Sequence, residues 1–303
     1  MMDRDRSADL RAIAIEAALL VREPLAAAFR SEMAVDYKVD LHDIVTKHDR
    51  QAEETIRALI LERLPGSTIV GEEYGASGEG RVRWYIDPID GTSNFARGIA
   101  FWCVSIGVTV DDEIVAGVIL DPVTGNMFSA DLTGAWLNGH PLKSSALADE
   151  RKATLITGYP VARDFRLDGR ERALENFATL AETFSTLRRP GSAALSIAHV
   201  AAGWADAAAG FGVNTWDVTA AILLLRQAGG TYTSLPMGKV EPESPDHFCP
   251  GYIAVGAGAS YPTLSRIGQD ISMRRTAAGP VKTHAQSSMH TKPNHEINAP
   301  NDS

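Results

Sequence analysis

The apolar aromatic run Trp84-Tyr85-Ile86 ends abruptly in Asp87-Pro88-Ile89-Asp90-Gly91, and that junction constrains what can be built around it. The run reads as a buried strand. Pro88 has a fixed φ and no N–H for a ladder, so the strand is expected to stop there. Gly91 permits a tight bend or a close backbone approach. Thr92-Ser93-Asn94 are good capping residues and can open a short helix. Two carboxylates then sit on a strand tip beside the N–H groups of a helix start. Carboxylate oxygens suit a hard cation, and a helix N-terminus suits a phosphate. Together they point to metal-assisted chemistry on a phosphate ester. Asp-Pro and Asp-Gly pairs are also common turn formers, so the stretch taken alone reads first as a turn.

Composition narrows the class. The 303 residues are 45% hydrophobic and 22% charged, enough for one large domain or two ordinary ones. The formal net charge of -9, with no basic run, argues against a nucleic-acid partner. Of the two cysteines, Cys103 lies in the apolar run Phe101 to Val110 and reads as a buried small hydrophobe. Two cysteines make no disulfide framework, which points to a reducing compartment. The first nine residues are charged and lack an apolar signal region, and no apolar stretch reaches bilayer length. The expectation is a cytoplasmic protein with no membrane partner.

Along the chain, Ser7 to Arg30 has helical spacing, with Pro24 expected to kink or end the helix. Asp49 is expected to cap a helix over Arg50 to Leu64. Ser67 to Val70 reads as a strand leading into Gly71-Glu72-Glu73. Two runs, Phe101 to Val110 and Glu113 to Leu120, flank Asp111-Asp112 as a hairpin. The second half alternates: a strand at Ala153 to Thr157, a helix at Gly169 to Ser185 with Leu174, Phe177, Leu180 and Phe184 on one face, and a helix opened by Gly191-Ser192. A strand at Trp204 to Gly210, an apolar helix over Trp216 to Ala228, two strands and a helix ending at Met273 complete it. The pattern gives an N-terminal α+β half over 1–145, a C-terminal α/β half over 146–273, and a disordered tail over 274–303.

Four acidic stations stand at ends of apolar runs or starts of helices: Asp49, Glu72-Glu73, Asp87 with Asp90, and Asp217. Each has a plainer reading. Asp217 before the uncharged stretch Val218 to Leu225 is either an N-terminal helix acid or a ligand, and Glu72-Glu73 is either a solvated loop or a ligand. Gly71-Glu72-Glu73, Asp87-Pro88-Ile89-Asp90-Gly91-Thr92-Ser93-Asn94-Phe95 and Trp216-Asp217, in this order, resemble the inositol monophosphatase family of magnesium-dependent, lithium-sensitive phosphatases. The resemblance spans residues 7 to 270. It implies an α/β (α+β) fold layered α-β-α-β-α, and commonly a homodimer.

Carried over residue by residue, the resemblance implies two or three Mg²⁺ ions per site. Glu72, Asp87 and the carbonyl of Ile89 would hold one; Asp87, Asp90 and Asp217 a second. Glu73 would stand behind them or hold a third. Thr92, partnered by Asp49, would position or deprotonate the attacking water, with Glu72 assisting catalysis. Asp49 aligns because Asp43-Ile44-Val45-Thr46-Lys47-His48-Asp49 resembles the family's D-x-V-T-x-x-D. The N–H groups of Gly91 and Thr92 would receive the phosphate, with Lys38 nearby. Ser192, Ala193 and Arg188, in the segment Arg188 to Leu195, would face the alcohol part of the substrate. No histidine is required; His140 and His199 read as structural.

The resemblance departs at Gly210. The family's inositol phosphatases carry there a glutamate that binds sugar hydroxyls. The implied substrate is a small polyol or sugar phosphate, inositol 1-phosphate first. Histidinol phosphate, fructose 1,6-bisphosphate and 3′-phosphoadenosine 5′-phosphate stay open. A regulatory binding protein with incidental phosphatase activity is the reading from another class.

Overall fold

The computed structural model describes residues 4–32, 36–37 and 44–278. The first half contains α1 (Arg4–Ala28), β1 (Asp36–Tyr37), β2 (Ile44–Val45), α2 (Lys47–Arg63), β3 (Thr68–Gly71), β4 (Gly75–Ser77), β5 (Val82–Asp90), α3 (Thr92–Arg97), β6 (Cys103–Val110), β7 (Glu113–Asp121), β8 (Asn126–Asp131), β9 (Gly134–Leu137) and β10 (His140–Pro141). The second contains β11 (Thr154–Thr157), α4 (Ala162–Asp168), α5 (Arg170–Thr183), β12 (Thr186–Arg188), α6 (Ala193–Ala201), β13 (Ala207–Phe211), α7 (Thr215–Gln227), β14 (Thr231–Leu235), β15 (Gly251–Val255) and α8 (Pro262–Ala277).

These elements stack as α-β-α-β-α. An eight-stranded sheet runs β10-β9-β8-β7-β6-β5-β3-β4, and a five-stranded sheet runs β12-β11-β13-β15-β14. Helices α1 and α2 cover one face of the large sheet, α6 and α7 lie between the sheets, and α5 and α8 cover the small one. Strand alternation explains the layering, because successive side chains point to opposite faces. Val104, Ile106 and Val108 of β6 enter the core under α1 and α2, whereas Ile119 and Phe128 of β7 and β8 enter the core around α6 and α7. A third core, with Leu180, Ile253, Leu264 and Ile267, seals the outer helices.

Several local expectations give way to packing. The strand does not stop at Pro88: β5 continues to Asp90 through a bulge, with Asp87 opposite Ser105 and Asp90 opposite Cys103. Three steps on β5 face two on β6, so Pro88 falls in the unpaired segment and its missing N–H breaks no ladder bond. Pro24 neither ends nor breaks α1; it is on the exposed side of the helix, where water can satisfy the carbonyl it orphans, while Leu25 stays buried. Asp49 is not the cap of α2 but its third residue; Thr46 is the cap. On α5 the buried side is Ala173 and Leu180, and Leu174 is 44% exposed. The last helix continues to Ala277, four residues into the segment expected to be disordered; 279–303 lie outside the described residues. The β6–β7 hairpin forms as expected, with Asp111 and Asp112 at φ 50° and 65°, the left-handed pair a two-residue turn of this type requires.

Candidate active site

Sheet register brings the acids together. β3 runs parallel to β5 with Gly71 opposite Ile86. The next residue on each strand, Glu72 and Asp87, therefore leaves side by side at the carboxyl ends, where open sheets present ligands. The Glu72 N–H donates to the Ile86 carbonyl at 3.1 Å. Across β6, Ser105 faces Asp87 and its Oγ donates to the Trp216 carbonyl at 3.2 Å, which fixes the first turn of α7 and with it Asp217. Helix α7 approaches this closely because Gly107 and Gly117, paired across β6 and β7, have no side chains. A Cβ on Gly107 would stand 2.6 Å from Thr219 Cβ, and one on Gly117 2.7 Å from Ala220 Cα.

The acids are held by short bonds. Asp49 Oδ2 accepts from the Thr46 N–H (2.8 Å) and hydroxyl (2.7 Å), and its Oδ1 lies 3.0 Å from Thr92 Oγ1. Thr92 Oγ1 is also 3.0 Å from the Ile89 carbonyl. Asp87 Oδ1 accepts from the Ile89 N–H at 3.0 Å. Asp90 Oδ2 accepts from Ser192 Oγ (2.6 Å) and the Ala194 N–H (2.7 Å), the latter at the N-terminus of α6. Asp217 Oδ2 accepts from the Asn214 N–H at 2.7 Å. Gly91 adopts φ 101° as the cap of α3 and no side chain caps that helix, so its first N–H groups are left for another acceptor.

The cluster is electrostatically loaded. Asp49, Asp87 and Asp90 are buried, and Asp217 is half-buried as a residue with its carboxyl surrounded by protein. Burial, then the neighbouring Glu72 and Asp90, pushes Asp87 far above the usual carboxylate range. Burial and then Asp90 do the same to Asp217. Asp90 is pushed up by burial to about 6, against the opposing bonds from Ser192 and Ala194. Burial also raises Asp49, opposed by Thr46 and Thr92. Among the described residues, no lysine or arginine forms a salt bridge with Asp87, Asp90 or Asp217.

A bound cation would relieve this repulsion, and an all-oxygen donor set fits a hard one. Among the described residues no group of three or more acids, imidazoles or thiols is arranged so that it could hold a metal ion by itself. Magnesium keeps several waters and dehydrates reluctantly, so water and substrate phosphate would complete its coordination beside the carboxylates.

A cleft of about 170 Å³ adjoins the cluster, lined by Gly191, Ser192, Ala193, Gly210, Tyr252 and Arg163 among others. At Gly210 a Cβ would stand 2.5 Å from Tyr252 Cε1, so the tyrosine ring fills the space of a side chain at that position. Asn94 Nδ2 donates to the Pro190 carbonyl at 2.6 Å and ties the cleft wall to α3. Of the residues expected here, Ser192 turns its hydroxyl to Asp90 and Ala193 lines the cleft. Arg188 is not brought to the cluster: it lies on the edge strand β12, exposed, with its guanidinium on the carbonyl of Leu187. Lys38 lies outside the described residues. Cys103 is buried, its Sγ 4.0 Å from Asp90 Oδ2. Sequence reasoning missed the glycine pair 107/117, the Tyr252 ring, and Glu53, which accepts from the N–H groups of Glu73 (2.7 Å) and Tyr74 (3.2 Å). Only Glu53 left a signal, its spacing of four from Asp49 on one helix.

No helix among the described residues is long and apolar enough to cross a membrane. The family model described as inositol monophosphatase family matches residues 7–267. The protein called Nus factor SuhB from Pseudomonas aeruginosa is 41% identical over 196 residues, 63% of this chain and 72% of that one. Inositol-1-monophosphatase from Synechocystis is 36% identical over 221 residues, 72% of this chain and 76% of that one. The solved structure of inositol monophosphatase from Anabaena matches with a TM-score of 0.70 at 30% identity, over 90% of this chain and 97% of that one.

Proposed function

Given that the chain belongs to the inositol monophosphatase family and is a phosphoric monoester hydrolase, we propose that it hydrolyses a small polyol or sugar phosphate with magnesium at the acid cluster. The observation that carries the reading is the convergence of Asp87, Asp90 and Asp217 beside the Thr92–Asp49 pair. Glu72, Asp87 and the Ile89 carbonyl would hold one Mg²⁺, and Asp87, Asp90 and Asp217 a second. Bound magnesium supplies charge neutralisation for the phosphate dianion and acidity for water.

The chain's own residues do the rest. Thr92 Oγ1, donating to Asp49 Oδ1, turns a lone pair outward to the attacking water. Asp49, raised by burial, is a fitting acceptor for the proton that Thr92 passes on. Ser192 and Ala194 hold Asp90 through Oδ2, and its Oδ1 would face the cation. The uncapped N–H groups at the start of α3 would receive phosphate oxygens. The cleft beside Ser192 would take the alcohol, and its small volume fits a compact one.

Inositol 1-phosphate is the first substrate to test, although Gly210 and Tyr252 put no carboxylate at the position where the family's inositol phosphatases carry one. Lithium sensitivity, a homodimer and a cytoplasmic setting complete the proposal. The test is phosphate release from inositol 1-phosphate, histidinol phosphate, fructose 1,6-bisphosphate and 3′-phosphoadenosine 5′-phosphate, each with Mg²⁺, with EDTA and with added Li⁺. Release that is lost in EDTA and inhibited by Li⁺ supports the reading; metal-independent release overturns it. The name of the Pseudomonas relative favours a second reading, a regulatory binding protein. A partner whose capture survives Asp90→Asn would support that role.

A further inference from the structure

Asp49 and Glu53 lie four residues apart on one face of α2, and both are fully buried. Asp49 reaches Thr92 on one side of the cluster. Glu53 reaches the other. Its Oε2 accepts from the Glu73 N–H at 2.7 Å, and its Oε1 from the Tyr74 N–H at 3.2 Å. Oε1 also accepts from Arg57 Nε at 2.7 Å. Arg57 in turn donates to the Gly75 carbonyl and, at 2.9 Å, to Ser77 Oγ. The carboxylate fits over Gly71, where a Cβ would stand 2.0 Å from Oε1. Glu53 therefore grips from beneath the turn that follows β3.

We propose that Glu53 is a positioning residue for the cation site. It fixes the Glu72–Tyr74 backbone, and through it the place of the Glu72 carboxylate beside Asp87. This rests on the reading of Glu72 as a cation ligand. The N–H that Glu53 holds belongs to the peptide directly after Glu72, so a shift there swings the Glu72 side chain. An ion pair such as Glu53–Arg57, buried on its carboxylate side only, adds little net stability, so its value here is geometric. One helix then acts as a ruler. With a rise of about 1.5 Å per residue, its two acids are separated by about 6 Å along the axis, which sets the spacing between the Thr92 side of the site and the Glu72 side.

The experiment is calorimetric titration of the full metal-free chain with Mg²⁺, without substrate, for the parent protein, Glu72→Gln, Glu53→Gln, their double variant, and Gly71→Ala. Glu53→Gln is nearly isosteric and is expected to weaken Mg²⁺ binding by about 10–100-fold, the usual effect of losing a residue that orients a ligand. Glu72→Gln weakens it too, and the double variant binds no more weakly than Glu72→Gln alone, since the effect of Glu53 runs through Glu72. Gly71→Ala displaces the Glu53 carboxylate from the other side and gives the same loss; it decides the matter if Glu53→Gln does not fold. At saturating Mg²⁺ the kcat of Glu53→Gln returns to within a few-fold of the parent. Unchanged affinity in both Glu53→Gln and Gly71→Ala, or losses that multiply in the double variant, overturns the inference. Undiminished affinity in Glu72→Gln instead removes the cation reading of Glu72 itself.

Discussion

Removing one charge from the cluster should stabilise the metal-free protein while abolishing turnover, and Asp90→Asn is the variant to make. The folded-state pKa of Asp90 is raised from 3.8 to about 6, chiefly by burial. That shift of roughly 2 units corresponds to about 3 kcal/mol, at 1.36 kcal/mol per unit. The sign follows from proton linkage. Between the unfolded and folded pKa values the native state holds more protons, so this group costs nothing below about pH 4, an increasing amount from 4 to 6, and its full amount above 6. Asparagine keeps an acceptor for Ser192 and Ala194 but carries no charge. At pH 8 in EDTA the variant should therefore exceed the parent by about 1–3 kcal/mol in urea unfolding, and at pH 4 the two should coincide. In saturating Mg²⁺ it should show no turnover, the usual conflict between a loaded site and a stable fold. A variant no more stable than the parent at pH 8, or a gap that fails to close toward pH 4, refutes the electrostatic argument. Near-normal turnover refutes the assignment of Asp90 to the cation site.

Gly117→Ala should push α7 off the sheet, because its Cβ meets Ala220 Cα at 2.7 Å; we expect about 1–3 kcal/mol lost in urea unfolding and weaker Mg²⁺ binding through displacement of Asp217. Thr92→Val removes the hydroxyl 3.0 Å from Asp49 and should lower kcat by about 100-fold or more with little change in KM, as expected for loss of a proton-transfer group. An equal rise in KM would place Thr92 in binding instead. Arg275 is buried between Asp168 (2.7 Å) and Asp164 (2.9 Å), so Arg275→Met should cost about 3–5 kcal/mol in unfolding and leave Mg²⁺ affinity unchanged.

The strand at Trp84, the Asp111-Asp112 hairpin, the helix opened by Ser192 and the helix at Trp216 were legible because periodicity and turn chemistry are local. The passage through Pro88 was not, because a bulge depends on the register of β6, where Ser105 and Cys103 pair with Asp87 and Asp90 from 18 and 13 positions away. The glycines 107 and 117 look in sequence like weak points in two strands. Their purpose becomes visible only when Thr219 and Ala220 lie on them. The same holds for Gly210: sequence registers a missing side chain, and only the packed structure places the Tyr252 ring in its space. The acids themselves were legible as types. What joins them, Ser105 to the Trp216 carbonyl and Ser192 to Asp90, is long-range and carries no local pattern.

Helix cap and ligand, the two readings the sequence poses at Asp217, do not exclude one another in this fold. Asp49 and Asp217 occupy the same position, third in a helix, and each uses Oδ2 to accept the backbone N–H three residues earlier, from Thr46 and Asn214. That bond spends one oxygen on the helix start and aims the other away from it. At Asp49 the second oxygen meets Thr92. Asp164 repeats the arrangement outside the site: Oδ2 takes the Val161 N–H and Oδ1 takes Arg275. Capping thus orients a carboxylate as a side effect of starting a helix, at a worth of about 1 kcal/mol that the fold gains in any case. What distinguishes Asp217 from Asp164 is the counter-charge. Asp164 has an arginine in contact, whereas Asp217 has Asp90 and Asp87 as neighbours. A capped acid facing an arginine has its charge met within the fold, whereas one facing other acids has not, and on that ground Asp217 is proposed as a cation ligand.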